Sequence, residues 1–361
     1  MGPAAAITTG MPSSSHVPDQ QPRRRPSVHT RIRRFWLAVA LSITTSVILA
    51  AIWFSITPTP SILLLRNAFR QQELTKPAGF TRVKAGVTVV HNPTYPSRYG
   101  RNTFDLYEPT KKSAKPLPVI VWAHGGGFIA GDKASMETYA TLMANEGYAV
   151  VTVNYDYAPD GTYPTPVIQM GEMVDYVSTI ASRRDLDPTR IIVGGDSAGA
   201  QIAAQFVVVN TTPGYSQWTH IAKTSLSSPL KGAILFCGPY DLESSAAEES
   251  SVVKKWFINT IGWGYLGRRD WKDSTELDEA TIVNHIFSNF PPTYVTDGNL
   301  VSFPDQGRSL VERLTDAKVS VKSRFFPDEP SLPHEFQFDF AYPESGLVWN
   351  DVSDFLTSMM K

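Results

Sequence analysis

Arg190-Ile191-Ile192-Val193-Gly194-Gly195-Asp196-Ser197-Ala198-Gly199-Ala200-Gln201-Ile202-Ala203-Ala204 passes from a β-branched apolar run into a run of small helix formers, with a serine at the join. Such a change of pattern without an intervening linker predicts a strand-to-helix corner at Gly195–Gly199. The glycines flanking the serine fit a corner of this kind, because the turn strains the serine backbone and draws neighbouring chain close to it. The serine hydroxyl is then held out at the top of a sheet, in the manner of a nucleophile elbow. A bare G-x-S-x-G is weak, since the usual frequencies of glycine and serine produce it by chance in roughly one chain in ten of this length. Its surroundings decide.

Upstream, His124-Gly125-Gly126-Gly127-Phe128 ends the strand run Leu117-Pro118-Val119-Ile120-Val121-Trp122-Ala123, 73 residues before Ser197. Bare backbone N–H groups at Gly126 and Gly127, with that of Ala198 after the serine, suit an oxyanion hole. A phosphate loop fits poorly, because Gly131 is followed by Asp132-Lys133 and not by Lys-Ser/Thr. A dinucleotide fingerprint, Gly125-x-Gly127-x-x-Ala130, fits only loosely. A serine hydroxyl also needs a base to take its proton. Of the seven histidines, His16 and His29 lie in a polar tail, His91 precedes the sheet core and His124 belongs to the glycine run. Among the remaining His220, His285 and His334, only His334 follows the last strand-like run, Val319–Phe326, and precedes the final helix. That position matches the chain order Ser…Asp…His.

These three signals, in this order, resemble the α/β-hydrolase superfamily, and within it the bacterial esterase/lipase branch similar to hormone-sensitive lipase. Further carriers are Asp105-Leu106-Tyr107-Glu108-Pro109, Tyr155-Asp156-Tyr157-Ala158-Pro159, Gly238-Pro239-Tyr240-Asp241-Leu242 and Leu332-Pro333-His334-Glu335-Phe336. The resemblance covers roughly Val87 to Lys361. It implies Ser197 as nucleophile, His334 as base, and Gly126, Gly127 and Ala198 as oxyanion donors. It also implies an aspartate where this chain has Val301, and valine cannot orient an imidazole. Asp297, leaving the seventh strand at its C-terminal end, is the first candidate for the acid. Asp305, at the start of the following helix, and Asp241, after the sixth strand, are the others. Asp297-Gly298 is also a common turn pair.

The fold class expected is α/β, a mostly parallel sheet with helices on both faces and a small lid or cap. Strands are predicted at Val87–Val90, Asn102–Tyr107, Leu117–Ala123, Tyr148–Asn154, Arg190–Gly194, Lys231–Cys237, Thr293–Thr296 and Val319–Phe326. Most are continuous apolar runs, as strands buried on both faces require. Residues 243–288 interrupt the alternation and carry Trp256, Phe257, Trp263, Tyr265 and Trp271, either as a lid or as rings packed on the sheet.

Thirty-three basic against 34 acidic side chains leave a formal net charge of −1, so no electrostatic case exists for a nucleic-acid partner. Cys237 is the only cysteine, which excludes an intrachain disulfide and a structural zinc spacing. The chemistry proposed needs neither metal nor cofactor. Phe35–Ile56 is an uncharged apolar run of about 22 residues, long enough to cross a bilayer core of about 30 Å. It reads as an anchor, with a cleaved signal peptide as the rival. Arg23-Arg24-Arg25, Arg31, Arg33 and Arg34 precede it, and positive charge stays inside. The expected organisation is a disordered basic cytoplasmic tail (1–34), a transmembrane anchor (35–57), a linker (58–85) and an extracytoplasmic catalytic domain (86–361). Within the linker, Ser61-Ile62-Leu63-Leu64-Leu65 lies either on the membrane surface or against the enzyme, and the polar stretch from Arg66 to Ala78 reads as a tether.

The function expected is two-step hydrolysis of a small-molecule or lipid ester. Acyl transfer, peptide cleavage and non-catalytic ligand binding on the same fold are the alternatives. Activity should fall in acid as the imidazole titrates near about pH 6.5.

Overall fold

In the computed structural model, which describes Gly2 and residues 27–67, 74–247 and 251–359, all eight expected strands lie in one sheet. They are β1 (Val87–Thr94), β2 (Thr103–Pro109), β3 (Leu117–Ala123), β4 (Ala149–Val153), β5 (Leu186–Asp196), β6 (Gly232–Phe236), β7 (Thr293–Thr296) and β8 (Val321–Arg324). Their spatial order is β1-β2-β4-β3-β5-β6-β7-β8. Only β1–β2 and β2–β4 pair antiparallel; every other neighbour is parallel. Parallel neighbours need crossovers, and helices supply them on both faces.

The helices are α1 (Val28–Ile56), α2 (Thr59–Arg66), α3 (Phe80–Ala85), α4 (Glu137–Asn145), α5 (Thr165–Arg184) and α6 (Ala198–Thr211), followed by α7 (Tyr215–Thr219), α8 (Leu242–Ala246), α9 (Val252–Leu266), α10 (Thr275–Ala280), α11 (Pro304–Asp316) and α12 (Pro343–Met359). On β3, Val119, Val121 and Ala123 join the core shared with α5 and α6, whereas Ile120 and Trp122 join the one shared with α4 and α12. This two-sided burial explains why β3 reads as an unbroken apolar run: all seven of its residues are buried. Helix α6 is enclosed from Ala198 to Val209, which small residues at its start permit.

The chain divides into two compact units, Met1–Ser55 and Ile56–Lys361. In the first, α1 starts at Val28, ahead of the apolar run, so Arg31, Arg33 and Arg34 are helical and not part of a disordered tail. Ser27 accounts for the earlier start, since its Oγ accepts from Thr30 N and caps the first turn. Arg23-Arg24-Arg25 lie outside the described residues. The 29 residues of α1 suffice by length and composition to cross a membrane, and none is buried within the protein.

In the second unit, the expected linker contains α2 and α3. Of the two placements open to Ser61–Leu65, packing on the folded domain is the one observed. Ile62 is fully buried against Ile129, Ala130 and Ala158, and Arg66 donates to the carbonyls of Ile129 (2.8 Å) and Ala158 (2.9 Å). Residues 68–73 of the expected tether lie outside the described residues. The described residues of the 243–288 stretch include α8, α9 and α10, with Tyr265 and Trp271 buried in the main core and Trp256 41% exposed.

Replacing Ile62 with alanine should cost about 2–5 kcal/mol, as for other buried Ile truncations. Leu64→Ala, at a 59% exposed neighbour, should stay within about 0.5 kcal/mol. Urea unfolding of the two variants checks whether α2 belongs to the folded unit.

Candidate active site

Ser197 sits between β5 and α6 with φ 51° and ψ −121°, outside the comfortable regions for a residue with a side chain. Its N–H donates to Phe236 O on β6 at 2.8 Å, which fixes the corner against the neighbouring strand. A Cβ on Gly195 would lie 2.2 Å from Gly199 O, and one on Gly199 would lie 2.1 Å from Ala123 O and 2.5 Å from His124 O. Both glycines are therefore required by contact with backbone that cannot move aside. The first turn of α6, with its positive dipole end, is thereby pressed onto the exit of β3.

The glycine run leaves β3 at that exit. Gly126 and Gly127 take φ of 125° and 60°, and Gly126 O accepts from Ile129 N and Ala130 N, closing a tight turn. Among the described residues, the N–H groups of Gly126, Gly127 and Ala198 donate to no partner. Unpartnered N–H donors of this kind, two in the glycine loop and one following the serine, are what an oxyanion hole requires. His124 anchors the loop and stays out of the chemistry: its ring stacks on Tyr155 at 4.4 Å, and Tyr155 OH donates to His124 O at 2.6 Å. Burial pushes its imidazole down to about 4, so it remains neutral. Phe128 stacks on Tyr265 of α9, with ring centroids 3.8 Å apart.

His334 Nε2 lies 3.0 Å from Ser197 Oγ. The loop carrying it is stitched to the turn after β7: Asn299 N and Leu300 N donate to Leu332 O, and His334 N donates to Leu300 O. Burial pushes the imidazole down to about 4, a fall moderated by the 25% of its side chain still open to solvent.

Of the three acid candidates, only Asp297 is brought to this histidine. Asp241 caps α8 by accepting from Ser244 N, and Asp305 pairs with Arg308 on an open face of α11. Asp297 does not touch the imidazole itself. Ser302 Oγ stands between them, 2.6 Å from His334 Nδ1, and donates to Asp297 Oδ1. With Nδ1–H donating to Ser302 Oγ, the hydroxyl relays the carboxylate and leaves Nε2 free to accept from Ser197. Val301 shapes this route. It adopts φ 54°, costly for a β-branched residue, and is 87% exposed, so its side chain points out of the site while Ser302 turns in. Burial pushes the Asp297 carboxyl up to about 7, against the lowering effect of Ser302, Cys237 and the N–H groups of Gly298 and Phe303.

Two polar residues at the site are not among those the sequence singles out. Nothing in the sequence flags Ser302, a serine beside a misplaced valine. Glu335 stands in plain view within the histidine motif, where a charged residue next to a buried histidine is the available signal. The ligand atoms of Cys237, Asp297 and His334 lie within 4.8 Å of one another. As a metal set they are unpromising, since burial holds the Cys237 thiol protonated and the other two already bond Ser302.

A family model described as the alpha/beta hydrolase fold matches residues 120–338. A carboxylesterase of Mycobacterium tuberculosis, NlhH, is 28% identical over 227 residues, covering 61% of this chain and 66% of that protein. An esterase of Fusarium pseudograminearum is 25% identical over 219 residues, covering 60% and 66%. The matched region thus spans about two thirds of each relative. Among solved structures, esterase B of Lactobacillus rhamnosis superposes with a TM-score of 0.65 at 19% identity, covering 87% of this chain and 96% of that one. A bacterial heroin esterase gives 0.61 at 24% identity, covering 77% and 86%. The family model spans more than half of the chain, which therefore belongs to the α/β-hydrolase superfamily, and the relatives it resembles point to the esterase and lipase branch.

Proposed function

We propose that this protein is a membrane-anchored serine hydrolase that cleaves carboxylic esters through an acyl-enzyme. The observation that carries the proposal is the 3.0 Å approach of His334 Nε2 to Ser197 Oγ, together with three unengaged N–H donors. The esterase relatives support the ester as substrate class. Ser197 attacks the ester carbonyl while His334 takes its proton, and the N–H groups of Gly126, Gly127 and Ala198 hold the oxyanion. His334 returns the proton to the leaving alcohol. A water then attacks the acyl-enzyme with His334 again as base. The imidazolium formed in each step faces the Ser302 hydroxyl, and Asp297 stabilises its charge from one hydrogen bond further away.

The anchor is α1, uncharged from Phe35 to Ile56. Arginines ahead of this uncharged run orient the N-terminus toward the cytoplasm and the domain from residue 86 onward across the membrane.

Ser197→Ala should abolish turnover of short p-nitrophenyl esters and labelling by a fluorophosphonate; retained turnover would sink the assignment. Ser302→Ala should lower kcat about 10- to 100-fold, and Ser302→Thr, which keeps the hydroxyl, should recover most of it. Loss of a directly bonded triad aspartate costs about 10⁴ in kcat, so Asp297→Asn, acting through a hydroxyl, should cost less, about 10²- to 10³-fold. The pH dependence follows from the two shifts. His334 is neutral and able to accept a proton well below its ordinary range, whereas Asp297 is uncharged until pH passes about 7. Its carboxylate helps only when ionised, so kcat/KM should climb through that region, and Asp297→Asn should remove the climb. A profile centred near pH 6.5 in both proteins would return the limb to the imidazole.

A further inference from the structure

Asp196, the residue before the nucleophile, and Glu335, the residue after the base, bring two carboxyls together. Asp196 is 3% exposed. Its Oδ1 accepts from Trp122 Nε1 and its Oδ2 from Gly125 N, each at 2.7 Å. Glu335 Oε1 flanks the same glycine: a Cβ placed on Gly125 would meet Asp196 Oδ2 at 2.5 Å and Glu335 Oε1 at 2.6 Å. The same Oε1 stands 3.8 Å from His334 Nε2, on the side where the Ser197 proton arrives. Glu335 holds a left-handed backbone, φ 59°, a conformation unfavourable to a residue with a side chain. The strain is sustained where the side chain links three elements: the elbow, the glycine loop and the histidine loop.

Two adjacent carboxylates in so enclosed a place repel, whereas one proton between them converts the repulsion into a hydrogen bond. We propose that Asp196 and Glu335 share one proton, and that Glu335 is thereby a positioning residue that clasps the glycine loop and His334 around Ser197. The inference rests on the reading of Ser197 and His334 as nucleophile and base. The ionisable groups facing the pair are His334, Asp297, the Cys237 thiol and the Tyr155 hydroxyl. Burial keeps the last two protonated, so neither supplies a positive charge to replace the shared proton. Desolvation and the neighbouring carboxyls raise Glu335 well above its ordinary range, and desolvation raises Asp196 to about 6. The 34% of the Glu335 side chain left in solvent moderates the first of these. A carboxyl raised on folding contributes stability at low pH that is lost as pH climbs through its folded value. The clasp therefore opens in alkali.

The test uses the full-length chain in detergent, comparing wild type, Glu335→Gln and Glu335→Ala by kcat and KM across pH, and by melting temperature across the same range. In wild type, kcat should fall at least about tenfold as pH climbs into alkali, well above the ordinary glutamate range. The side-chain amide brought in by Glu335→Gln donates to Asp196 without titrating, so this variant should stay within about tenfold of wild type at neutral pH and lose the alkaline fall. Glu335→Ala should lose about 10- to 100-fold in kcat at neutral pH with KM little changed, and the deficit against wild type should shrink in alkali, where the wild-type clasp is open. The alkaline drop in melting temperature should likewise be present in wild type and absent in Glu335→Gln. An undiminished alkaline fall in Glu335→Gln, or wild-type kinetics in Glu335→Ala, overturns the clasp. The melting curves need no substrate, so they decide the clasp even if wild type hydrolyses no ester, an outcome that would instead overturn the proposed function.

Discussion

The contact on which the rest of the site depends is between backbones. The first turn of α6 lies so close to the exit of β3 that Gly199 has no room for a Cβ beside the carbonyls of Ala123 and His124. That approach brings the serine corner up against the glycine loop, leaves the N–H groups of Gly126, Gly127 and Ala198 without partners, and aims the end of a buried helix at the same point. None of these would follow from a serine, a glycine run and a helix placed independently. They follow from a parallel sheet in which β3 and β5 are neighbours, because the loops at one end of adjacent parallel strands necessarily meet.

Much of this is legible in the amino-acid order. Eight strands can be placed because most of them are buried on at least one face and therefore written in Val, Ile, Leu and Phe, and the Ser197–His334 pair can be placed because a strand-to-helix corner and a post-strand histidine have recognisable surroundings. The acid is only half legible. Asp297 is favoured by its place at a strand end, but its link to His334 depends on the turn at Val301 bringing Ser302 inward, and a backbone conformation unfavourable to valine leaves no trace in a list of side chains. Glu335 is hidden for a different reason: its partner Asp196 is 139 positions away in sequence, and only the fold makes them neighbours. The extent of α1 escapes a reading by hydropathy because helical caps extend a span past its apolar limits, as Ser27 does here.

The electrostatics of the site have a common cause. Enclosure lifts the carboxyls of Asp196, Asp297 and Glu335 and lowers the imidazoles of His124 and His334, so the resting site carries little charge. In the proposed reaction, charge is then created on the oxyanion and the imidazolium, in surroundings whose dipoles are already oriented. That is the condition under which fixed donors are worth most.

Helix α2 adds a practical boundary. It begins three residues after α1 ends, and through Ile62 and Arg66 it buttresses Ile129 and Ala158 at the far end of the glycine loop. A form that lacks α1 therefore has a narrow window for its first residue, between Ile56 and Thr59. Trimming to the first strand, which the sequence alone would invite, strips the packing from the end of the glycine loop and leaves the apolar surface of Ile129, Ala130 and Ala158 facing water.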